Sequence, residues 1–325
     1  MKGFAQKLLI GTSAFIGMTA MASAPALAGS LTGASISPTE PHLIYDTVAC
    51  GISTSGTCTE LSNTATAQEV LDNLGNVELS GSTSTSGAAD FTNATTLSGT
   101  VDGSAITFMS LTAKDWFGAD EATAYGNDDF ANTWFDAALD AYSITNAGLA
   151  NAVYNATLAA TGGDTTAATI AAASAPTSES LFNRFLADGG FERFSDPNIA
   201  SVEGDGNGGL EVVLAGHFDG TEQFFSYLTS EEMAVVSTIL SGQPLQISEV
   251  VKVTYNGEVS YQYGFSATSS DVVEISDEVS HDGNYTLSQV YSVDEPEGVP
   301  EPSTILGLMA IGGLVAASKR KSEKA

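Results

Sequence analysis

The residues predict an α+β chain: an antiparallel β-rich body, sandwich or meander, with a helical middle region and a C-terminal transmembrane helix. Three observations carry that expectation. Alternating runs meet at the tight-turn dipeptides Asp102-Gly103 and Asn256-Gly257. Apolar residues recur at helical spacing between residues 129 and 187. Both ends hold uncharged apolar runs, and the acid lies between them.

The elements follow in order. Residues 97–111 hold Asp102-Gly103 between two Ser/Thr-rich extended runs. That is hairpin chemistry, because Asp and Gly take the positive φ that a two-residue turn requires. Segments 129–142, 147–160 and 177–187 read as helices: Trp134, Phe135, Leu139 and Tyr142 share one stripe, and Leu181, Phe182, Phe185 and Leu186 another. Asp188-Gly189-Gly190 ends the last of these. A further helix starts at a capping box of Thr229 and Glu232, buries Met233, Val236, Ile239 and Leu240, and stops at Gly242. Residues 248–255 and 258–266 alternate around Asn256-Gly257, and 272–275 and 285–293 supply more strands. The low-complexity segments 80–86 and 161–176 read as exposed loops, and no fixed repeat is present. One sheet system with inserted helices and two separate domains both fit this order.

Charge excludes one class of function. The 325 residues include 10 basic and 39 acidic side chains, a formal charge of -29, which repels nucleic acid. At 43% hydrophobic the chain has the material for a core. Residues 29–300 hold 37 acidic side chains against Lys114, Arg184, Arg193 and Lys252. Such a field keeps the molecule soluble and repels anionic polysaccharide and lipid unless divalent cations intervene.

The ends read as addresses. Lys2 and Lys7 precede an uncharged stretch over 8–22, which closes on Ala24-Pro25-Ala26-Leu27-Ala28. This is the pattern of a secretory leader over 1–28, with Ala26 and Ala28 as the small residues before a cleavage bond and Gly29 as the mature start. The exported α+β part then spans 29–298. Over 299–325, Val299, Pro300, Glu301 and Pro302 precede an uncharged run over 303–318, which is followed by Lys319, Arg320 and Lys321. Those sixteen residues span about 24 Å as a helix, short of a ~30 Å hydrocarbon layer, so the anchor is marginal. The basic cluster holds to the cytoplasmic side.

This tripartite tail resembles the PEP-CTERM sorting signal of Gram-negative bacteria and cyanobacteria. The resemblance implies that Pro300, Glu301 and Pro302 are read by an exosortase, a membrane-embedded cysteine transpeptidase or protease, and that exopolysaccharide export is the setting. It implies signal peptidase and the secretion machinery as partners, the membrane as a transient or permanent holding point, and the cell surface or extracellular matrix as destination. Residues 181–218, especially 191–198, resemble a segment recurring in cyanobacterial proteins of this kind, which transfers no activity. Within it, Asp196-Pro197 favours a turn, and Arg193 reads as a structural charge partner.

Cys50 and Cys58 are the two cysteines, and export carries them into an oxidising compartment, so a local disulfide is expected. Gly204, Gly206 and Gly209 satisfy GxGxxG, but Glu203 and Asp205 put negative charge where a phosphate would sit. Glu203, Asp205 and Asn207, followed by Gly208, resemble the opening of a calcium loop, yet Leu214 stands where the bidentate acid is needed. His42, His217 and His281 lack metal-site spacing. His217-Phe218-Asp219-Gly220 could be read as a catalytic pair, but no recognisable nucleophile accompanies it. The expected function is that of a sorted surface or matrix-associated protein without catalytic activity or resident cofactor. The alternatives are a secreted polysaccharide-modifying hydrolase and a calcium-dependent glycan-binding module.

Overall fold

Turn chemistry decides where the strands reverse. Asp102 and Gly103 take φ of 53° and 80°, and Asn256 and Gly257 take 51° and 79°, so both dipeptides adopt the left-handed conformation expected of them. The structure, a computed structural model of the chain, describes residues 9–10, 29–37, 43–44, 56–58, 66–72, 75–79, 92–270, 272–274 and 282–291.

The first elements are β1 (Leu9–Ile10), β2 (Gly29–Ser30), β3 (Thr32–Ser37), β4 (Leu43–Ile44), β5 (Gly56–Cys58), α1 (Ala67–Asp72), β6 (Val77–Glu78), β7 (Thr96–Val101) and β8 (Ser104–Met109). Six helices follow: α2 (Ala113–Phe117), α3 (Phe130–Ala141), α4 (Asn146–Ala160), α5 (Thr165–Ala172), α6 (Ser178–Ala187) and α7 (Gly190–Arg193). Then come β9 (Asn198–Gly204), β10 (Gly209–Gly216), α8 (Thr221–Phe225) and α9 (Ser230–Leu240). The last strands are β11 (Val251–Tyr255), β12 (Glu258–Gln262), β13 (Thr268–Ser269), β14 (Val272–Glu274) and β15 (Gly283–Val290).

Two antiparallel sheets result. One runs β1-β12-β11-β8-β7-β3, and only the two-residue β1 lies parallel to its neighbour. The other runs β13-β15-β10-β9-β6-β4, with β2 also on β9. A separate parallel pair joins β14 to β5. Leu97, Ile106, Phe108 and Val253 of the first sheet share one buried cluster with Ile199, Val212, Leu214 and Tyr285 of the second. Of the two expected arrangements, the sheets therefore pack as a sandwich. Residues 1–291 form one unit and 292–325 another, so the two sheets make one system, to which β1 comes from within the expected leader. Among the described residues, helices interrupt the strands three times: α1 between β5 and β6, α2 to α7 between β8 and β9, and α8 and α9 between β10 and β11.

The helical insert has its own core. Trp116, Trp134, Phe135, Phe182, Phe185 and Phe191 are buried together with Val236 and Leu240 of α9. The stripes expected on α3, α6 and α9 are the faces that meet there, with Tyr142, Leu186, Met233 and Ile239 partly buried at its edge. The Trp116 indole donates to Ser195 Oγ at 2.7 Å, and that hydroxyl donates to the Phe191 carbonyl at 2.7 Å. Both donors of this relay are satisfied, whereas the Trp134 indole N–H in the same core has no hydrogen-bond partner among the described residues.

One expectation is corrected. Segment 161–176 is not a loop throughout, because α5 occupies its centre. Gly162 and Gly163, at φ of 67° and 105°, turn the chain, and Asp164 then accepts from the amides of Thr166 and Ala167 at 2.9 and 3.0 Å. Alanine behind that cap is a strong helix former, which outweighs the low complexity. Two left-handed residues, Ser241 at φ 55° and Gly242 at φ 76°, close α9, so the chain leaves the helix at the glycine as expected. Segment 80–86 and the C-terminal apolar run lie outside the described residues. Among the described residues, no helix is long and apolar enough to cross a membrane.

Candidate functional site: the pole where both ends leave the sheets

Gly29, the expected mature start, is the first residue of β2 and faces Gly204, while Ser30 faces Glu203. The Leu31 amide donates to the Val202 carbonyl at 3.2 Å, and its side chain is buried between the sheets. The chain then crosses to the other sheet, where β3 pairs with β7. On α1, Gln68 grips this crossing from both sides, donating to the Leu31 carbonyl at 3.0 Å and accepting from the Ala34 amide at 2.8 Å.

The far end of the body returns to the same place. Tyr291, just past β15, donates its amide to the Gly208 carbonyl at 2.9 Å. Its hydroxyl lies 2.7 Å from Ser260 Oγ and accepts from Gln262 at 2.7 Å, both on β12 of the opposite sheet. Both ends of the exported body therefore meet the turn between β9 and β10.

That turn is held by carboxylates. Asp205 Oδ1 accepts from the amides of Asn207 at 2.7 Å and Gly209 at 2.8 Å, and Asp102 Oδ2, from the β7–β8 turn, accepts from Gly206 at 2.8 Å. The GxGxxG spacing has a steric origin here. A Cβ on Gly204 would lie 2.1 Å from Asp102 Oδ2, one on Gly209 would lie 2.3 Å from Asp205 Oδ2, and Gly206 has φ 75°. Glu203 lies on β9 directly opposite Glu211 of β10. Burial, with Glu203 beside it, raises the Glu211 pKa. The calcium candidates are thus divided: Asp205 and Asn207 build the turn, and Glu203 sits in the ladder. Among the described residues, no group of three or more His, Cys, Asp or Glu could hold a metal ion.

The other candidates sit in structural bonds. Asp219 Oδ1 accepts from the Thr221 amide at 3.1 Å and its hydroxyl at 2.5 Å, and the His217 carbonyl accepts from Tyr285 at 2.5 Å. Asp282 accepts from the Phe218 amide, and burial holds its carboxyl above the usual range. His42 and His281 lie outside the described residues, as do Cys50 and Val299, Pro300, Glu301, Pro302, Lys319, Arg320 and Lys321. Cys58 closes β5, with Glu274 as its backbone partner.

Three of the four cations of residues 29–300 join elements. Arg184 makes a two-pronged bond to Glu232, at 2.7 and 2.9 Å, and donates to the Tyr227 carbonyl. Chiefly through that bond, the Glu232 carboxyl falls to about 2. Arg193 bonds Asp188 at 3.0 Å and Ser226 at 2.9 Å, the structural role expected of it. Lys252 reaches Asp115 at 2.7 Å. Burial alone would raise Asp115, but bonds from Lys252 and Thr112 outweigh it, and its pKa falls. The Thr112–Asp115 capping box is visible as a Thr-x-x-Asp pattern, whereas Asp102 is legible only as a turn residue and nothing local marks its bond to Gly206.

The model of the PEP-CTERM protein-sorting motif matches residues 298–321. That match gives the chain a C-terminal PEP-CTERM sorting segment, which supports an exosortase-sorted protein. The PEP-CTERM motif implies export, sorting toward the cell surface and processing by an exosortase. No curated protein and no solved structure matches the chain.

Proposed function

We propose that the exported part is a non-enzymatic surface or extracellular-matrix protein. In this reading the leader delivers it, the C-terminal segment holds it at the membrane, and an exosortase processes or attaches it. The observation that carries the reading is how the body uses its polar groups. Arg184, Arg193 and Lys252 are ion-paired within the fold, and Asp205 and Asp219 bind the amides of their own turns. With the cations so engaged, the 37 acidic side chains give the exported part a strongly negative field, which suits a hydrated layer outside the cell. Both ends leaving beside one turn suits a body tethered at a membrane.

Mass spectrometry of the two ends of the native surface protein tests the delivery, with a start at Gly29 and loss of the terminal apolar run expected. A full-length C-terminus in the mature surface fraction would rule out sorting by removal. Assays of the exported protein against extracellular glycans test the absence of catalysis; turnover abolished by His217→Ala or Asp219→Asn would replace the reading with a hydrolase. Calorimetry showing calcium-dependent glycan binding would replace it with a binding module. Thiol labelling without reductant tests the Cys50–Cys58 bridge, and two reactive sulfurs would refute it.

A further inference from the structure

We propose that the outer edge of β15 is a self-pairing surface, on which a second copy of this chain lays its own β15 antiparallel about a two-fold axis at Ser288.

The register decides which backbone groups face that edge. Tyr291 donates its amide to the Gly208 carbonyl, and β15 pairs with β10 without a shift, so residues 283, 285, 287 and 289 turn their backbone groups toward β10. The residues between them turn the other way. There β13 takes the first two, because Ser270 donates to the Asp282 carbonyl and Thr268 stands opposite Asn284. Thr286, Ser288 and Val290 have no strand partner on that side among the described residues. Their side chains are exposed, and Val290, at 79%, is the most exposed large hydrophobic residue described.

An open edge is normally blunted by a charge, a proline, a bulge or shortness. The other three edges of the two sheets are. The register of β3 shifts between Thr32 and Ser35, β4 has two residues, and β12 carries Glu258 and meets β1 at Ser260 and Tyr261. Residues 283–291 hold no charge and no proline, and β15 has no bulge against β10.

Charge selects the occupant. In a chain of formal charge -29, an uncharged edge is where a like-charged copy approaches with least repulsion. Geometry then sets the pairing. With Ser288 opposite Ser288, Thr286 stands opposite Val290 on both sides of the axis, and all three outward residues exchange backbone hydrogen bonds. Sliding two residues one way sets Val290 against Asn284, which β13 already occupies. Sliding the other way runs Thr286 past the end of β15. Three residue pairs make an interface well below the ~1,000 Å² of a stable complex, so pairing is weak in dilute solution and gains where copies are held at one surface. Only that last gain rests on the surface-protein reading.

Ser288→Cys in the full-length chain, held in detergent micelles and mildly oxidised, tests the pairing. Across the axis the two Cα atoms would lie ~5.5 Å apart, within disulfide range, whereas the two 286 positions would lie about 14 Å apart. Ser288→Cys should therefore give about tenfold more reducible dimer than Thr286→Cys or the native sequence, and its yield should rise with salt. Ser288→Pro loses no bond to β10, since the Ser288 N–H faces outward, and should abolish the concentration-dependent dimer seen by sedimentation. Ser288→Glu, which sets two carboxylates against each other, should do the same. Equal cross-linking at 286 and 288 would mean random collision and overturn the pairing. So would a Ser288→Cys chain that stays monomeric or bridges to its own Cys50 or Cys58, or dimers that survive both Ser288→Pro and Ser288→Glu.

Discussion

Gly204 shows how one missing side chain joins two hairpins. Its hydrogen leaves room for the Asp102 carboxylate, which then bonds the Gly206 amide. Gly204→Ala should force the two turns apart and cost about 1–3 kcal/mol, measured by denaturant unfolding. Glycine at Gly103, where nothing lies within 4 Å of a built Cβ, serves φ alone. Ser195 is the second residue of this kind, bridging the Trp116 indole to the Phe191 carbonyl. Ser195→Ala strands a buried N–H and should cost about 1–3 kcal/mol, with a change in tryptophan fluorescence. Neither role is written locally. Asp102 and Gly204 meet across 102 positions of chain, and Trp116 and Ser195 across 79.

Among the elements, α9 and α5 separate what a cap does from what packing does. Thr229 caps α9 through a full capping box, and the helix buries Val236 and Leu240 in the aromatic core. Asp164 caps α5, which buries Ala168 and leaves Ile170 exposed. Thr229→Ala should therefore lower global stability by about 1 kcal/mol. Asp164→Ala should instead raise hydrogen exchange over 165–172 with little effect on global unfolding, because packing contributes most of a short helix's stability. The same contrast explains legibility. Helices α3, α6 and α9 announced themselves by apolar period and caps, and the two hairpins by Asp-Gly and Asn-Gly. The α5 helix lacked an apolar face and read as a loop. The two-residue strands β2 and β6 offer no period at all, since their partners on β9 create them.

The whole molecule responds to pH through opposing carboxylates. Burial raises the pKa of Asp136, Glu211 and Asp282, so the folded state binds those protons more tightly than the unfolded chain. Their protonation, with relief of the overall negative charge, should raise stability as pH falls from 7 toward 5. Glu232 works the other way. Its pKa falls from 4.5 to about 2, so its contribution is complete above 4.5 and lost as pH falls through about 2. Glu232→Gln should cost about 1 kcal/mol near neutrality, kept small because Arg184 is 35% exposed, and should flatten the acid limb of the Tm profile. Added salt should raise Tm near pH 7, and a salt-independent Tm would contradict the self-repulsion. The sequence by itself determined the C-terminal sorting motif, the charge, the two hairpins and the amphipathic helices, because each depends on residues adjacent in the chain or one helical turn apart. Only the tertiary structure decided that the sheets form a sandwich and that Gly29 and Tyr291 return to one turn. Those contacts join residues far apart in sequence, and a strand's partner is chosen by the surface it meets when the chain packs.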